Sequence, residues 1–183
     1  MKNIDLKYLA SMALLTALAY LSLFFIRVPI MHNAPFLRLD IRDTFITLGG
    51  IFYGFRFAVI GAVIVALLQM ISVSEYGFFG MLMNILSVSS FAGTATVVYR
   101  HSKGKDNIKL IKALVVASAV MTTSMMLWNY LVAPLYMGVP QSVVAKLLLP
   151  VFLPFNIIKS GCNSVLIYII YIALPNTKRM KSV

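Results

Sequence analysis

Charge is what this sequence has least of. Only 11% of its 183 residues are Asp, Glu, Lys or Arg, and only five are acidic. Soluble domains carry about 25% charged residues, so an ordinary water-facing surface is excluded. With 61% hydrophobic residues and a mean hydropathy of +0.92, an integral membrane protein remains. Cysteine occurs once, at Cys162, which rules out an intramolecular disulfide; a lone thiol in an apolar helix reads as packing. The two histidines, His32 and His101, fall in loops predicted on opposite sides, which argues against a shared metal site. No glycine-rich loop ends in Lys-Ser or Lys-Thr, and no serine sits in a nucleophile elbow. The chain therefore reads as neither an enzyme nor a self-powered pump. None of the acids is predicted within a span, which counts against proton- or sodium-coupled carriers. The lack of an internal repeat counts against most secondary transporters. No linker or low-complexity tract divides residues 1–183, so a single domain is expected. No cleavable leader is expected either, because the first apolar run is long and lacks a small-residue cleavage site.

The apolar runs allow five or six spans of about 20 residues each. The first runs from about Tyr8 to Ile26 and carries a small-residue stripe at Ala10, Ala13 and Ala17. Such a stripe suits close helix approach, though ordinary alanine content gives the same pattern. Arg27 to Asp43 forms a charged loop, either a binding lid or a solvated loop with locally paired charges. Its alternation through Phe36-Leu37-Arg38-Leu39-Asp40-Ile41 has the period of a short strand. Thr44–Tyr53 and Ala58–Val73 read as two helices turning at Gly54, with Asp43 placed to begin the first. Ser72 to Gly77, with Glu75, is the next turn. Phe78–Tyr99, Ile108–Ala133 and Leu147–Ala173 complete six spans, with Pro134–Lys146 as a connection and Pro150 and Pro154 bending the last. The expected fold is an all-α bundle of six transmembrane helices with a capping first loop.

A net charge of +11 invites a nucleic-acid reading, but its distribution does not support one. Eleven of the 16 Lys and Arg lie on one side: Lys2, Lys7, Arg56, Arg100, Lys103, Lys105, Lys109, Lys112, Lys178, Arg179 and Lys181. Arg27, Arg38, Arg42 and Lys146 lie on the other. The asymmetry follows the positive-inside rule and puts both termini in the cytoplasm.

Lys159 falls inside the last span, in Leu153-Pro154-Phe155-Asn156-Ile157-Ile158-Lys159. A lysine at that depth costs roughly 2.5 to 3.5 kcal/mol on insertion scales unless compensated. Asn156 lies one turn away on the same face. Asn84 and Asn129 are at similar depth in neighbouring spans, with Trp128, Tyr130 and Phe155 as candidate stacking surfaces. Carboxamides both donate and accept, which suits a heterocycle with imide-like edges. The plainer reading is that these asparagines join helices, each by about 0.6 to 2 kcal/mol. Four polar groups near one level, one a lysine, favour a site.

Several segments resemble the substrate-binding subunits (S-components) of energy-coupling factor vitamin transporters, most closely the riboflavin-specific group. They are Phe36-Leu37-Arg38-Leu39-Asp40-Ile41-Arg42-Asp43, Gly49-Gly50-Ile51-Phe52-Tyr53-Gly54, Asn84, Leu127-Trp128-Asn129-Tyr130 with Pro134-Leu135-Tyr136, and the Leu153–Lys159 run. The resemblance covers nearly the whole chain. It implies six helices in the bacterial cell membrane and an outward pocket under the first loop, where Asn129, Asn156 and Lys159 contact riboflavin as transported ligand. Asp40 and Asn84 join that implied set. It further implies a transmembrane coupling subunit, docked on the Ala13 and Ala17 stripe, and two cytoplasmic ATPase subunits. Two departures stand out: Gln69-Met70 replaces the group's usual Lys-Asn pair, and Val88 or Ser89 replaces a glycine after Asn84. Another vitamin, such as thiamine or pantothenate, on the same fold is an alternative, and so is a scaffold that binds no ligand. The transporter reading expects Lys159→Ala and Asn156→Ala to fold but lose affinity; the scaffold reading expects both to damage folding.

Overall fold

Hydropathy sets the architecture: among the described residues, five helical segments are long and apolar enough to cross a membrane, and a sixth, short helix lies among them. The computed structural model describes residues 6–31, 34, 36–73 and 77–174. His32, Pro35, Glu75 and the basic residues Lys2, Lys178, Arg179 and Lys181 lie outside the described residues. The elements are α1 (Leu6–Phe25), β1 (Arg27–Pro29), β2 (Arg38–Asp40), α2 (Arg42–Tyr53), α3 (Phe55–Ser72), α4 (Gly77–His101), α5 (Asp106–Met137), α6 (Gln141–Leu147) and α7 (Leu153–Ala173). A π-helical turn, Leu148–Phe152, joins α6 to α7, so Gln141–Ala173 is one continuous helical segment.

Helix α2 organises the bundle. Ten of its 12 residues are buried, so no face meets lipid. At about 18 Å it is too short for a hydrocarbon core of about 30 Å. The remaining depth on its N-terminal side is occupied by the β1–β2 hairpin, paired antiparallel with Arg27 opposite Asp40 and Pro29 opposite Arg38. Its β2 strand turns Asp40 into the protein, while Val28 and Pro29 of β1 are exposed. At its other end Gly54, with φ +110, turns the chain into α3 in a single residue. Gly50 lets α4 approach closely, since a Cβ there would overlap the Thr96 hydroxyl.

One apolar cluster joins α1, α2, α3 and α4 through Ala19, Leu23, Ile46, Ala62, Val65 and Val88. A second joins α2, α4, α5 and α7 through Phe91, Leu110, Met121 and Ile167. The outward faces are lipid-like, with Phe25, Ile71, Val115 and Leu135 all more than half exposed. Ala10, Ala13 and Ala17 are exposed on α1, on the face away from its buried stripe of Thr16, Ala19 and Leu23.

Three boundaries differ from the sequence expectation. Helix α5 runs through Pro134 to Met137 instead of ending at Ala133. Proline withholds the N–H that would bond the Tyr130 carbonyl, and the Gln141 side chain donates to that oxygen instead, at 3.5 Å. Gly138, in the left-handed region at φ 65, closes α5. The expected connection over 134–146 is thus mostly helical. Finally, α2 begins at Arg42, and Asp43 lies buried in its first turn without capping it.

Candidate ligand site beneath the first loop

The site begins with the compensation of Lys159. The Lys159 Nζ lies 3.3 Å from Asp40 Oδ2 and 3.6 Å from Asp43 Oδ2. Arg42 Nε lies 3.2 Å from Asp40 Oδ1 and 3.5 Å from Asp43 Oδ1. All four side chains are buried, and their charges sum to zero. The lysine is compensated by carboxylates rather than by asparagines, one from β2 and one from the first turn of α2. Burial alone would raise the Asp40 carboxyl, but Arg42 and Lys159 outweigh it and hold it below the ordinary value of 3.8.

Asn163, one turn beyond Lys159, fixes this cluster to α7. Its Nδ2 donates to the Asp40 carbonyl at 2.9 Å and to the Lys159 carbonyl at 3.0 Å. Its Oδ1 accepts from the Thr44 backbone N–H at 3.0 Å and the Thr44 hydroxyl at 2.8 Å. The carboxamide is thereby saturated, and the β2–α2 junction is tied to α7. Above it, Phe36 and Leu37 pack on a small apolar cluster of Ala133, Val144 and Phe152. Phe36 also meets the rings of Tyr136 and Phe152, at 6.3 and 6.2 Å between centroids.

Between this loop and the bundle lies a cavity of about 120 Å³. Asp40, Asn84, Asn129, Asn156 and Lys159 all line it, so the residues singled out in the sequence converge. Asn129 donates to the Met125 carbonyl and Asn156 to the Phe152 carbonyl, both at 2.7 Å and both within their own helical segment. Neither joins two helices. With the amide nitrogens so engaged, their oxygens have no hydrogen-bond partner among the described residues. Two acceptors are thus held on the α5 and α7 wall, with Asn156 one turn beyond the π turn that carries Pro150.

Of the expected aromatic surfaces, only Phe155 lines the cavity; Phe36 and Tyr136 supply the others. Trp128 packs against the core cluster instead, and Tyr130 is exposed on α5. Sequence reasoning missed Met83 and Met125 in the lining, and it met Arg42 and Gln69 only as parts of the resemblance. For Asn163 a signal existed: Asn156, Lys159 and Asn163 stand at i, i+3 and i+7, one helical face.

The geometry revises one expectation about Lys159. Truncating it would leave two buried carboxylates facing one cation, so lost affinity and lost stability would come together.

Residues 7–171 match the family described as ECF transporter, substrate-specific component. The chain is 30% identical over 181 residues to the riboflavin transporter RibU of Staphylococcus aureus (strain TCH60), covering 93% of this chain and 91% of that protein. It superposes with a TM-score of 0.80 on a solved S component of a bacterial ECF transporter, at 29% identity, over 94% of this chain and 98% of that one. A multi-pass helical bundle with these relatives and this enclosed polar site belongs to the substrate-specific components of ECF transporters.

Proposed function

We propose that this chain captures riboflavin from outside the cell and presents it for ATP-driven uptake. The observation that carries the reading is the pair of fixed acceptors, Asn129 and Asn156, beside Lys159 in one enclosed cavity. Riboflavin offers an imide N–H and ribityl hydroxyls as donors, while Phe36, Tyr136 and Phe155 supply apolar ring surface. Lys159 donates to Asp40 at 3.3 Å and pairs with Asp43 at 3.6 Å, so at least one of its three N–H groups remains for a ligand oxygen. The 30% identical riboflavin transporter supports the choice of vitamin.

Ligand pockets span about 300 to 1,000 Å³, so a cavity of about 120 Å³ must enlarge to admit the vitamin. Phe36 and Leu37, held by the apolar cluster of Ala133, Val144 and Phe152, are the part that would move, while Asp40 and Asp43 stay tied to α7. The cavity lies at the end opposite Lys7, Arg56 and Arg100, which supports an outward-facing site with the termini in the cytoplasm of a bacterial cell. The chain performs no catalytic step in this reading. Two cytoplasmic ATPases supply energy through a transmembrane coupling subunit, and the exposed Ala10, Ala13 and Ala17 stripe is the surface proposed for it.

The test is uptake of labelled riboflavin by bacteria lacking their own uptake subunit but retaining the energising module, supplied with this chain. Saturable uptake, competed by unlabelled riboflavin but not by thiamine or pantothenate, is expected. Uptake competed only by another vitamin would reassign the ligand.

A further inference from the structure

Gln69, near the end of α3, lies across the cavity from the two asparagines and is 4% exposed. Arginine only donates hydrogen bonds, and that fixes the orientation of two neighbouring amides. Arg42 Nη2 donates to Asn84 Oδ1 at 2.6 Å, so Asn84 turns its Nδ2 toward Gln69. That Nδ2 donates to Gln69 Oε1 at 3.1 Å, and Arg42 Nη1 donates to the same oxygen. Turning the Gln69 amide over would set its NH2 against a guanidinium and another NH2, three donors with no acceptor. The amide cannot flip while Arg42 and Asn84 stay in place.

The consequence concerns the other end of the amide. Gln69 Nε2 has no hydrogen-bond partner among the described residues and is not sealed off by protein. We infer that Gln69 is a fixed hydrogen-bond donor to the ligand, and so a specificity-determining residue facing a carbonyl, ring nitrogen or hydroxyl acceptor. The inference rests on the riboflavin reading, and it sets a polarity across the cavity. One wall presents the Gln69 donor, and the opposite wall presents the Asn129 and Asn156 acceptors. A ligand must therefore carry an acceptor on the edge facing α3 and a donor on the edge facing α5 and α7. A lysine at this position would set an ammonium against Arg42 and offer Asn84 no oxygen, so the glutamine is matched to its neighbours.

Two substitutions separate the roles. Gln69→Glu keeps an oxygen for Arg42 and Asn84 but removes the donor. Gln69→Met removes both at similar volume. Riboflavin affinity is measured by fluorescence quenching on wild type and on whichever variants elute as a single folded species, with unfolding temperature recorded alongside. Affinity is expected to fall roughly 10- to 100-fold in Gln69→Glu, the range for an unmet buried polar group, together with a lower unfolding temperature, because the new carboxylate takes the buried cluster one charge from neutral. Gln69→Met is expected to lose affinity to a similar extent, and it decides the matter if Gln69→Glu does not fold. Wild type that binds, with every folded variant within about two-fold of it, overturns this inference alone. Wild type that binds no riboflavin overturns the riboflavin reading and this inference with it.

Discussion

Replacing Lys159 with methionine is the sharpest perturbation of the buried ion cluster. Its Nζ faces two carboxylate oxygens at 3.3 and 3.6 Å. At an effective dielectric constant of about 20, each contact is worth about 5 kcal/mol of attraction, most of it offset by desolvation. Removing one member of a buried ionic group costs about 3 to 5 kcal/mol, because the remaining charge is stranded. In Lys159→Met, Asp40 and Asp43 share Arg42 alone, a net charge of about −1 in a dry site. The unfolding temperature of the detergent-solubilised protein should fall by about 10 °C. Neutralising the stranded acid, in Lys159→Met with Asp43→Asn, restores the balance of Asp40 with Arg42. The double variant should regain most of the loss, a coupling of about 2 kcal/mol or more in a double-mutant cycle. A wild-type unfolding temperature in the single variant would refute the reasoning, and so would simple additivity in the double.

Asn129→Leu and Asn156→Leu should each weaken riboflavin binding roughly 10- to 100-fold while shifting stability little, since each amide bonds only its own helical segment. Isothermal titration beside thermal unfolding checks this, and equal loss of both would mean that the asparagines are structural. Asp40 bears on pH. Its folded-state value lies below 3.8, so the stabilisation from its ionised form is complete above that value and is lost as pH falls through the folded one. The stability difference between wild type and Asp40→Asn should therefore shrink as pH falls below about 4; a difference unchanged down to about pH 3 would contradict the assignment. Ala13→Leu with Ala17→Leu should leave riboflavin binding intact but prevent co-purification with the coupling subunit, because both residues are exposed. Co-purification at wild-type yield would move the docking surface elsewhere.

The spans were legible because each is a long apolar run, and a lysine among apolar residues is conspicuous by cost alone. What compensates it was not legible. Asp40 and Asp43 are 119 and 116 positions from Lys159 in sequence, and charged residues before an apolar run read equally well as a solvated loop. The hairpin was foreshadowed by the alternation around Leu37 and Leu39, whereas the burial of Asp40 at its end depends on packing against α2 and α7. Pro134 misled because its helix-breaking effect depends on whether the freed Tyr130 carbonyl finds a donor, and Gln141 is seven residues further on. The asparagines were correctly gathered to one cavity. That two of them bond within their own segment, while Asn84 and Asn163 bond across elements, depends on side-chain orientation that spacing does not encode.

The central claim, a riboflavin-capturing subunit, is tested most directly by titrating the purified wild-type chain with riboflavin and following flavin fluorescence. Saturable quenching at one site per chain is predicted, unaffected by excess thiamine. A folded preparation that leaves the fluorescence unchanged across the titration would contradict it.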